Sequence, residues 1–267
     1  MTLDSAYLYT LIFIVGLCFG SFLNVVVYRL PLKKSLVTPP SSCPGCSTQL
    51  GFVELIPLIG YLILKGKCRN CGMRISPRYP LVEFLTGILF FAIFYKFGFN
   101  MSALFYLVLL YILFGVTLID LDHRIVPNTL VAAGLIAAAA MFIPAFLNIW
   151  LNVPEYIMPD RPLSDAFFGL LVGGVIMLLI ILVSRGGMGA GDMKLMLMIG
   201  CYVGLRGTAV VLMLGFVFGA LVGVAFMIMK KLTRKDALPF APYLSLASLI
   251  NVFWGEQIWS WYINLMR

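Results

Sequence analysis

The sequence predicts an all-α polytopic membrane protein with about eight transmembrane helices and one small folded loop, and three observations support this fold class. Hydrophobic residues make up 62% of the chain, charged residues only 11%, and the mean hydropathy is +1.03. A soluble domain does not need so much apolar material. Apolar runs of about 20 residues, the length that spans a bilayer, recur along the chain. The Lys and Arg residues concentrate in a few of the segments between these runs.

The first predicted helix lies within residues 1–29. Its apolar run, from Tyr7 to Val27, is preceded by Asp4 and by no Lys or Arg. A cleaved signal peptide carries a basic segment before its apolar run. We therefore expect this helix to be retained as the first membrane span.

A loop at residues 30–80 follows, and it is the one connection long enough to fold by itself. It is rich in Pro, Gly and Cys and has no clear helical or strand period. About 50 residues bury only a small core, so a unit of this size usually needs a disulfide or a metal ion to hold it together. We expect a small domain with such a staple.

The loop contains two C-x-x-C pairs, which can supply four thiolates to a tetrahedral zinc ion. The pairs are Cys43 with Cys46 and Cys68 with Cys71. The alternative is two disulfides, which a cytoplasmic loop disfavours because thiols there stay reduced. Gly45 and Gly72 are expected to permit the tight turns of the two pairs. Closed four-sulfur sites are normally structural, so the sequence predicts a zinc ion that stabilises the fold.

The remaining spans are predicted in the segment 81–267, which we expect to form a helical bundle. There are seven of them, at 81–97, 102–121, 127–149, 163–183, 193–205, 208–229 and 241–263. With the first span at residues 6–29, the total is eight. The span at 193–205 is short, and Gly200 and Gly204 weaken its helical pattern. The sequence thus divides into three parts, residues 1–29, 30–80 and 81–267.

The distribution of basic residues predicts the orientation of the chain. With the N-terminus outside, fifteen of the nineteen Lys and Arg residues fall at the inner side, and only Lys96, Arg161, Arg206 and Arg267 fall outside. Short cytoplasmic loops carry such an excess of positive charge. The cytoplasmic segments are then 30–80, 122–126, 184–192 and 230–240. The net charge of +8 reflects this topology, and we expect no nucleic-acid partner.

Three of the eleven carboxylates lie where apolar helices meet short polar loops: Asp120, Asp122 and Asp192. A carboxylate at the end of a membrane helix is costly and usually has a function. The predicted topology places all three near the cytoplasmic face. Two carboxylates that share one proton can hydrolyse a peptide bond, because one takes a proton from water while the other polarises the carbonyl. The simpler interpretations are an N-cap for Asp192 and an ion pair with Arg124 for Asp122.

Four other polar side chains have weaker functional signals. His123 is a proton partner or a solvated loop residue, and Lys194 orients a carboxylate or marks the inner membrane boundary. Glu54 and Glu83 lie in the loop and at a helix entry. None of these patterns by itself predicts a reaction.

Seven motifs follow one another along nearly the whole chain. They are Gly20–Pro31, Pro40–Cys46, Gly66–Cys71, Ile75–Glu83, the two aspartate motifs Leu118–Pro127 and Gly187–Lys194, and Leu238–Tyr243. In this order they resemble the type IV prepilin peptidase family, the bifunctional leader peptidases and N-methyltransferases of pilus and type II secretion systems. Any one motif is weak, but the ordered set is specific.

The resemblance implies an intramembrane aspartyl peptidase of the GxGD type with Asp122 and Asp192 as the catalytic pair. Asp122 is preferred because the family places the essential carboxylate just before a loop that ends in Ile-Pro or a similar pair. In this chain the pair is Val126-Pro127. Asp120 could support the pair or exchange roles with Asp122. The implied substrates are prepilins and pseudopilins, cut after the glycine that ends a short basic leader.

The resemblance also implies methylation of the new amino terminus with S-adenosylmethionine, because the full cysteine set is typical of the bifunctional members. Gly66 and Lys67 are the candidates near this cofactor. No Gly-rich cofactor motif on a strand–helix unit is visible, so the cofactor rests on the resemblance alone. Residues 30–80 would then be a zinc-binding, methyltransferase-associated domain in a multi-pass protein of the bacterial inner membrane. The alternatives are a cleavage-only peptidase and a proton-coupled transporter.

Overall fold

The computed structural model describes residues 3–151, 161–184, 188–229 and 239–266, and the regular secondary structure of this part of the chain is helical. Its α-helices are α1 (Leu3–Arg29), α2 (Ile59–Ile63), α3 (Arg78–Phe97), α4 (Met101–His123), α5 (Asn128–Leu151), α6 (Leu163–Val183), α7 (Ala190–Ile228) and α8 (Ala241–Leu265). A 3-10 helix, Val53–Leu55, precedes α2. Within the described ranges there is no β-strand, only two isolated β-bridges. The predicted all-α class is confirmed.

Within the described ranges, five helices are long and apolar enough to cross a membrane, namely α1, α3, α4, α6 and α7. The predicted spans at 193–205 and 208–229 lie in one element, α7, but the backbone leaves the helical conformation at Gly204 (φ 68, ψ −175). Two helical segments therefore meet at this glycine, as the sequence pattern predicts. The chain is a multi-pass membrane protein. The predicted cytoplasmic segments 184–192 and 230–240 lie partly outside the described residues.

The first compact unit, Met1–Gly98, contains α1 and α3 packed antiparallel against each other. Small residues let the two backbones approach closely. A Cβ atom at Gly16 would lie 2.8 Å from the Cα atom of Gly87, and one at Gly20 would lie 2.6 Å from the Cα atom of Glu83. A larger residue at either glycine would force the helices apart.

Polar side chains then connect α3 to the loop and α1 to the start of α3. The Glu83 carboxylate is buried and accepts a 2.8 Å hydrogen bond from the backbone amide of Leu58. The Asn24 side chain donates to the Tyr79 carbonyl at 3.1 Å. Leu58 has a positive φ of 59°, so the Glu83 bond stabilises a strained turn at the start of α2. These contacts give Glu83 a structural role.

The second compact unit, Phe99–Arg267, contains α4 to α8, with α4 the most buried of its spans. Gly169 of α6 and Gly200 of α7 are in such close contact that a Cβ atom at either would collide with the carbonyl of the other. The Tyr202 hydroxyl donates to the Gly134 carbonyl at 2.8 Å and joins α7 to α5. Helix α8 packs against both α4 and α7.

The boundary between the compact units differs from the predicted division of the chain. The sequence divides the loop from the bundle at residue 80, whereas the units divide between Gly98 and Phe99. Helix α3 belongs to the first unit because it packs against α1.

Candidate metal centre and candidate active site

The four cysteines of the loop form a compact cluster in the first unit. Their sulfur atoms all lie within 4.8 Å of one another, with Cys43 to Cys71 at 3.8 Å and Cys46 to Cys68 at 3.9 Å. Four sulfurs about 2.3 Å from a tetrahedral metal ion lie about 3.8 Å apart. A disulfide would bring two sulfurs to about 2.05 Å, and all six cysteines of the chain are free. The cluster can hold a metal ion, and its geometry does not fit the disulfide alternative.

The cluster is built from two copies of the same turn. In the first, the Cys43 amide donates to the Thr48 carbonyl at 2.9 Å, and the Ser47 amide donates to the Cys43 carbonyl at 2.8 Å. The turn at Cys68 repeats both bonds at 2.8 and 3.0 Å. The β-bridges Ser42–Gln49 and Lys67–Arg74 flank the two turns in the same register. This repeat is not visible in the sequence beyond the C-x-x-C pairs.

The residue after each second cysteine adopts the left-handed conformation that the turn requires. These residues are Ser47 (φ 56) and Gly72 (φ 71), so the expectation for Gly72 is confirmed. Gly45 has no positive φ and serves a different purpose. A Cβ atom at Gly45 would lie 2.7 Å from the Met73 sulfur of the other turn. Glycine at this position leaves room for the Met73 side chain of the other turn.

Hydrogen bonds within the turns favour thiolates, the form in which cysteine binds metal ions. Bonds with the side chain and backbone of Thr48 lower the pKa of Cys46 to about 6. Backbone amides of Cys71 and Asn70 lower the pKa of Cys68. At Cys71 the Met73 amide favours the thiolate, but desolvation and the neighbouring sulfurs outweigh it and raise the pKa to about 11. A bound cation would remove the repulsion among these sulfurs.

A cavity of about 370 Å³ lies beside the second turn of the cluster, and its lining is cationic. It is lined by Tyr61, Lys65, Gly66, Lys67, Arg74, Ile75, Ser76 and Pro77. Gly66 and Lys67, the residues predicted to lie near the methyl donor, are both in its wall. Gly66 has a φ of 67° and a Cβ atom there would lie 2.9 Å from the Tyr61 hydroxyl, so a larger residue does not fit. No carboxylate is among the lining residues.

Asp120 occupies a buried position near the end of α4. Only 4% of the residue is exposed, and one carboxylate oxygen, Oδ2, has no hydrogen-bond partner among the described residues. The backbone amide of Ala241, the first residue of α8, hydrogen bonds to this carboxylate, and the charge of Arg124 also acts on it. The α8 contact explains why a motif near residue 241 belongs to the same site as α4.

Asp192 approaches Asp120 from the start of α7. The two charges interact, and Asp192 is partly buried. The N-cap of α7 is Gly189, so Asp192 is the third helical residue, and its carboxylate accepts a hydrogen bond from the Gly189 amide. An acidic third residue that reaches back to the N-cap amide stabilises a helix start. The expected capping role is thus present in a modified form, with Asp192 as the third helical residue and not as the N-cap itself.

The segments that carry the two aspartate motifs also pack against each other directly. A Cβ atom at Gly191 would lie 3.0 Å from the Cβ atom of Val126, so glycine permits this close approach. The Lys194 ammonium donates to the Asn128 side chain at 3.1 Å, which ties the start of α7 to the start of α5. Sequence reasoning missed Asn128, although it directly follows the Val126-Pro127 pair.

Asp122 and His123, at the end of α4, are both exposed. Residues i and i+2 of a helix point in nearly opposite directions, so Asp120 and Asp122 lie on different faces of α4. The charge of Asp120 acts on Asp192. The catalytic role of Asp122 stays a prediction, and the geometry makes Asp120 a second candidate for the same role.

Comparison with known proteins gives matches to both compact units. Residues 14–97 match the family described as Bacterial Peptidase A24 N-terminal domain, and residues 107–224 match the Type IV leader peptidase family. A protein of Pseudomonas putida named prepilin leader peptidase/N-methyltransferase is 33% identical over 100% of this chain and 97% of its own length. A protein of Bacillus subtilis (strain 168) with the same name is 33% identical over 96% of this chain and 98% of its own length. A third protein of that name, from Myxococcus xanthus (strain DK1622), is 38% identical over 81% of this chain and 62% of its own length. No solved structure gives a significant match.

Proposed function

Because the chain belongs to the type IV leader peptidase family, we propose that it removes the leader from prepilins and pseudopilins and then methylates the new amino terminus. The observation that carries the peptidase activity is the approach of two carboxylates, Asp120 and Asp192, from the ends of two membrane helices. The names of full-length relatives from several bacteria support the pairing of cleavage with methylation. Family membership gives no support to the transporter alternative.

The proposed cleavage step needs one ionised and one protonated carboxyl group. The ionised group takes a proton from water as the water oxygen attacks the carbonyl carbon of the leader glycine. The protonated group donates a hydrogen bond to the carbonyl oxygen, and its proton is later passed to the departing amine. Two close carboxylates favour this singly protonated state because their like charges repel.

We assign one of the two roles to Asp192, and two residues of α4 are candidates for the other. The family motif favours Asp122, the residue just before the loop to Val126-Pro127. Burial and the charge interaction with Asp192 favour Asp120. Asp120 also has the buried oxygen without a partner among the described residues, which leaves that atom able to bind water or substrate.

We propose zinc as the metal of the four-cysteine cluster, because four thiolates at tetrahedral spacing suit this ion. No open coordination position remains in a closed four-sulfur site, so its role is to hold the loop folded. The metal centre is therefore assigned to the stability of the methyltransferase-associated unit.

For the methyl donor we propose S-adenosylmethionine, which supplies an electrophilic methyl group when bound. Gly66 and Lys67 remain the candidates near it. Both line the cavity beside the second turn, so the other side chains of that cavity can be compared with the groups of the donor. The Lys67 ammonium suits the carboxylate of the donor, the Ser76 hydroxyl suits a polar group, and the Tyr61 ring suits an aromatic base. The side chains lining the cavity thus suit the carboxylate and the base at the two ends of the donor, whereas its cationic sulfonium, between them, would have to be held by backbone carbonyls or by other residues.

We propose that the N-terminus is outside and that the aspartates and the cysteine cluster face the cytoplasm, in a bacterial inner membrane. The excess of Lys and Arg in the segments at the inner side supports this orientation. It would let the basic leader remain in the cytoplasm while the hydrophobic helix of the substrate lies in the bilayer.

The first experiment is mass spectrometry of a prepilin-like peptide incubated with the purified full-length protein and S-adenosylmethionine. Cleavage after the leader glycine with an added methyl mass on the new terminus supports both activities. Cleavage without the methyl mass would leave a cleavage-only peptidase. An unchanged peptide, from protein whose metal content is intact, would contradict the proposal.

A further inference from the structure

We propose that the segment 52–63 of the loop lies in the membrane–water interface and holds the metal-binding unit against the bilayer. This inference is independent of the proposed enzymatic function. It starts from an apolar surface patch, which we call the 52–63 patch. The patch consists of six exposed apolar side chains, Phe52, Val53, Leu55, Ile59, Leu62 and Ile63.

The 52–63 patch is too apolar for a surface that faces only water. Phe52 is 84% exposed and Leu62 71% exposed, and the single charged residue of the segment, Glu54, is used to accept a 2.7 Å hydrogen bond from the Gly51 amide. On α2, Ile59, Leu62 and Ile63 stand at i, i+3 and i+4, which is one face of a helix. Contiguous exposed patches of this kind mark sites that bind a protein or a membrane.

The position of the patch along the membrane axis favours lipid as the occupant. The Leu58 amide, inside the segment, is hydrogen-bonded to the Glu83 carboxylate at 2.8 Å. Glu83 lies five residues after the start of the α3 span, about 7.5 Å along the helix. The bond therefore holds the backbone of the 52–63 segment at the depth where α3 enters the membrane. A short amphipathic helix at this depth lies in the interface with its apolar face toward the acyl chains.

The charges beside the patch fit anionic lipid headgroups. Lys65 and Arg74, both exposed, line the cavity that follows α2, and Arg78 begins α3 directly after the last lining residue, Pro77. Basic residues next to a span attract the phosphates of anionic lipids. An interfacial segment is expected to turn its apolar side chains toward the bilayer interior and to carry cations beside them at the level of the headgroups.

The test places a photoreactive benzophenone amino acid at position 62 or 52 of the full-length protein in lipid nanodiscs that contain phosphatidylglycerol and phosphatidylcholine. Position 37 is the matched control, because Val37 is an equally apolar, 82% exposed residue of the same loop outside the patch. After illumination, mass spectrometry should find lipid adducts at 62 and 52 several times more often than at 37. Equal yields at the three positions would overturn the proposal.

The crosslinked partner also distinguishes the other possible occupants. Crosslinks from position 62 to residues 99–267 of the same chain, or to an added prepilin, in place of lipid would overturn the proposal and identify a protein interface. A second variant tests the charges: Lys65→Gln with Arg74→Gln should lower the lipid adduct at 62 in phosphatidylglycerol nanodiscs and leave it unchanged in pure phosphatidylcholine. A yield in phosphatidylglycerol nanodiscs that is the same for this variant and for the protein with Lys65 and Arg74 intact would exclude a role for the cations.

Discussion

At the residue scale, three aspartates of similar sequence context have different environments. Asp120 is buried, Asp192 is partly buried, and Asp122 is exposed. The contrast between Asp120 and Asp122 follows from the helix period, because neighbours two apart cannot point the same way. Burial removes competing water and strengthens the interaction between the charges of Asp120 and Asp192.

Substitution by asparagine separates the candidates for the catalytic pair, because the amide keeps the shape of the carboxyl group but cannot transfer its proton. We expect Asp192→Asn to lower the kcat/KM of peptide cleavage by at least about 10²-fold. Asp120→Asn should lower kcat/KM by a similar factor, while Asp122→Asn should change kcat/KM only slightly. Mass spectrometry of the cleaved peptide measures all three. Loss of cleavage in Asp122→Asn, with Asp120→Asn active, would support the pair that the family motif implies.

The metal centre gives a second prediction at this scale. Cys43→Ser replaces one of the four thiolates with a hydroxyl that remains protonated, so we expect the bound zinc to be lost and the first unit to be destabilised. Elemental analysis of the purified protein measures the zinc content. Cys18→Ser is the control, because Cys18 belongs to the same unit but lies outside the cluster. A zinc content equal in wild type and Cys43→Ser would contradict the assignment.

At the element scale, the break in α7 is stabilised by α6 and the segment before it. The Asp165 carboxylate accepts a 3.0 Å hydrogen bond from the Leu205 amide and a 3.2 Å bond from Arg161. The Leu205 amide is one that the break deprives of a helical partner, so Asp165 caps the second part of α7. At Gly204 itself a Cβ atom would collide with the Asp165 carboxylate.

This geometry predicts a large effect of a methyl group at Gly204. Gly204→Ala combines a backbone conformation that only glycine adopts readily with a collision at Asp165, so we expect a loss of about 1–3 kcal/mol or more in the free energy of unfolding. Gly98→Ala is the matched control, since Gly98 has a similar backbone (φ 73, ψ −164) and no atom within 4 Å of the added methyl group. Thermal unfolding in detergent compares the two. A loss no larger in Gly204→Ala than in Gly98→Ala would exclude the collision.

At the scale of the whole molecule, each of the two compact units contains one of the two family matches. The first unit contains the residues matched at 14–97, and the second contains those matched at 107–224. The cysteine cluster lies in the first unit and the aspartate pair in the second. We expect methylation to depend on the first unit and cleavage on the second.

The separation of activities can be tested with a substrate that has already lost its leader. Asp192→Asn should still methylate such a mature pilin peptide at near wild-type rate, because the substitution leaves the first unit intact. Cys43→Ser should fail to methylate it while cleaving a full prepilin peptide. Methyl incorporation and cleavage are both measured by mass. Loss of both activities in each variant would indicate that the two reactions share one site.

The sequence predicted the fold class and most of the span positions because apolar runs of membrane length do not depend on the neighbouring helices. It also predicted the four-cysteine cluster, since paired C-x-x-C turns bring their sulfurs to one point by local geometry. The division at residue 80 did not match the compact units, because the packing of α3 on α1 is a contact between distant segments. The break at Gly204 was indicated only as a weak point in a helical pattern.

The sequence by itself determined the class of the protein, the cysteine set and the three acidic positions, because each of these depends on composition or short spacing. Only the tertiary structure decided which carboxylates meet. The start of α7 is joined to the connection between α4 and α5 by the close contact of Gly191 with Val126, and to the start of α5 by the bond from Lys194 to Asn128. Such contacts join residues more than 60 positions apart in the chain. Local sequence patterns hold no information about which residues at such a separation come into contact. The physical reason is that helix packing, and not helix formation, brings Asp120 and Asp192 together.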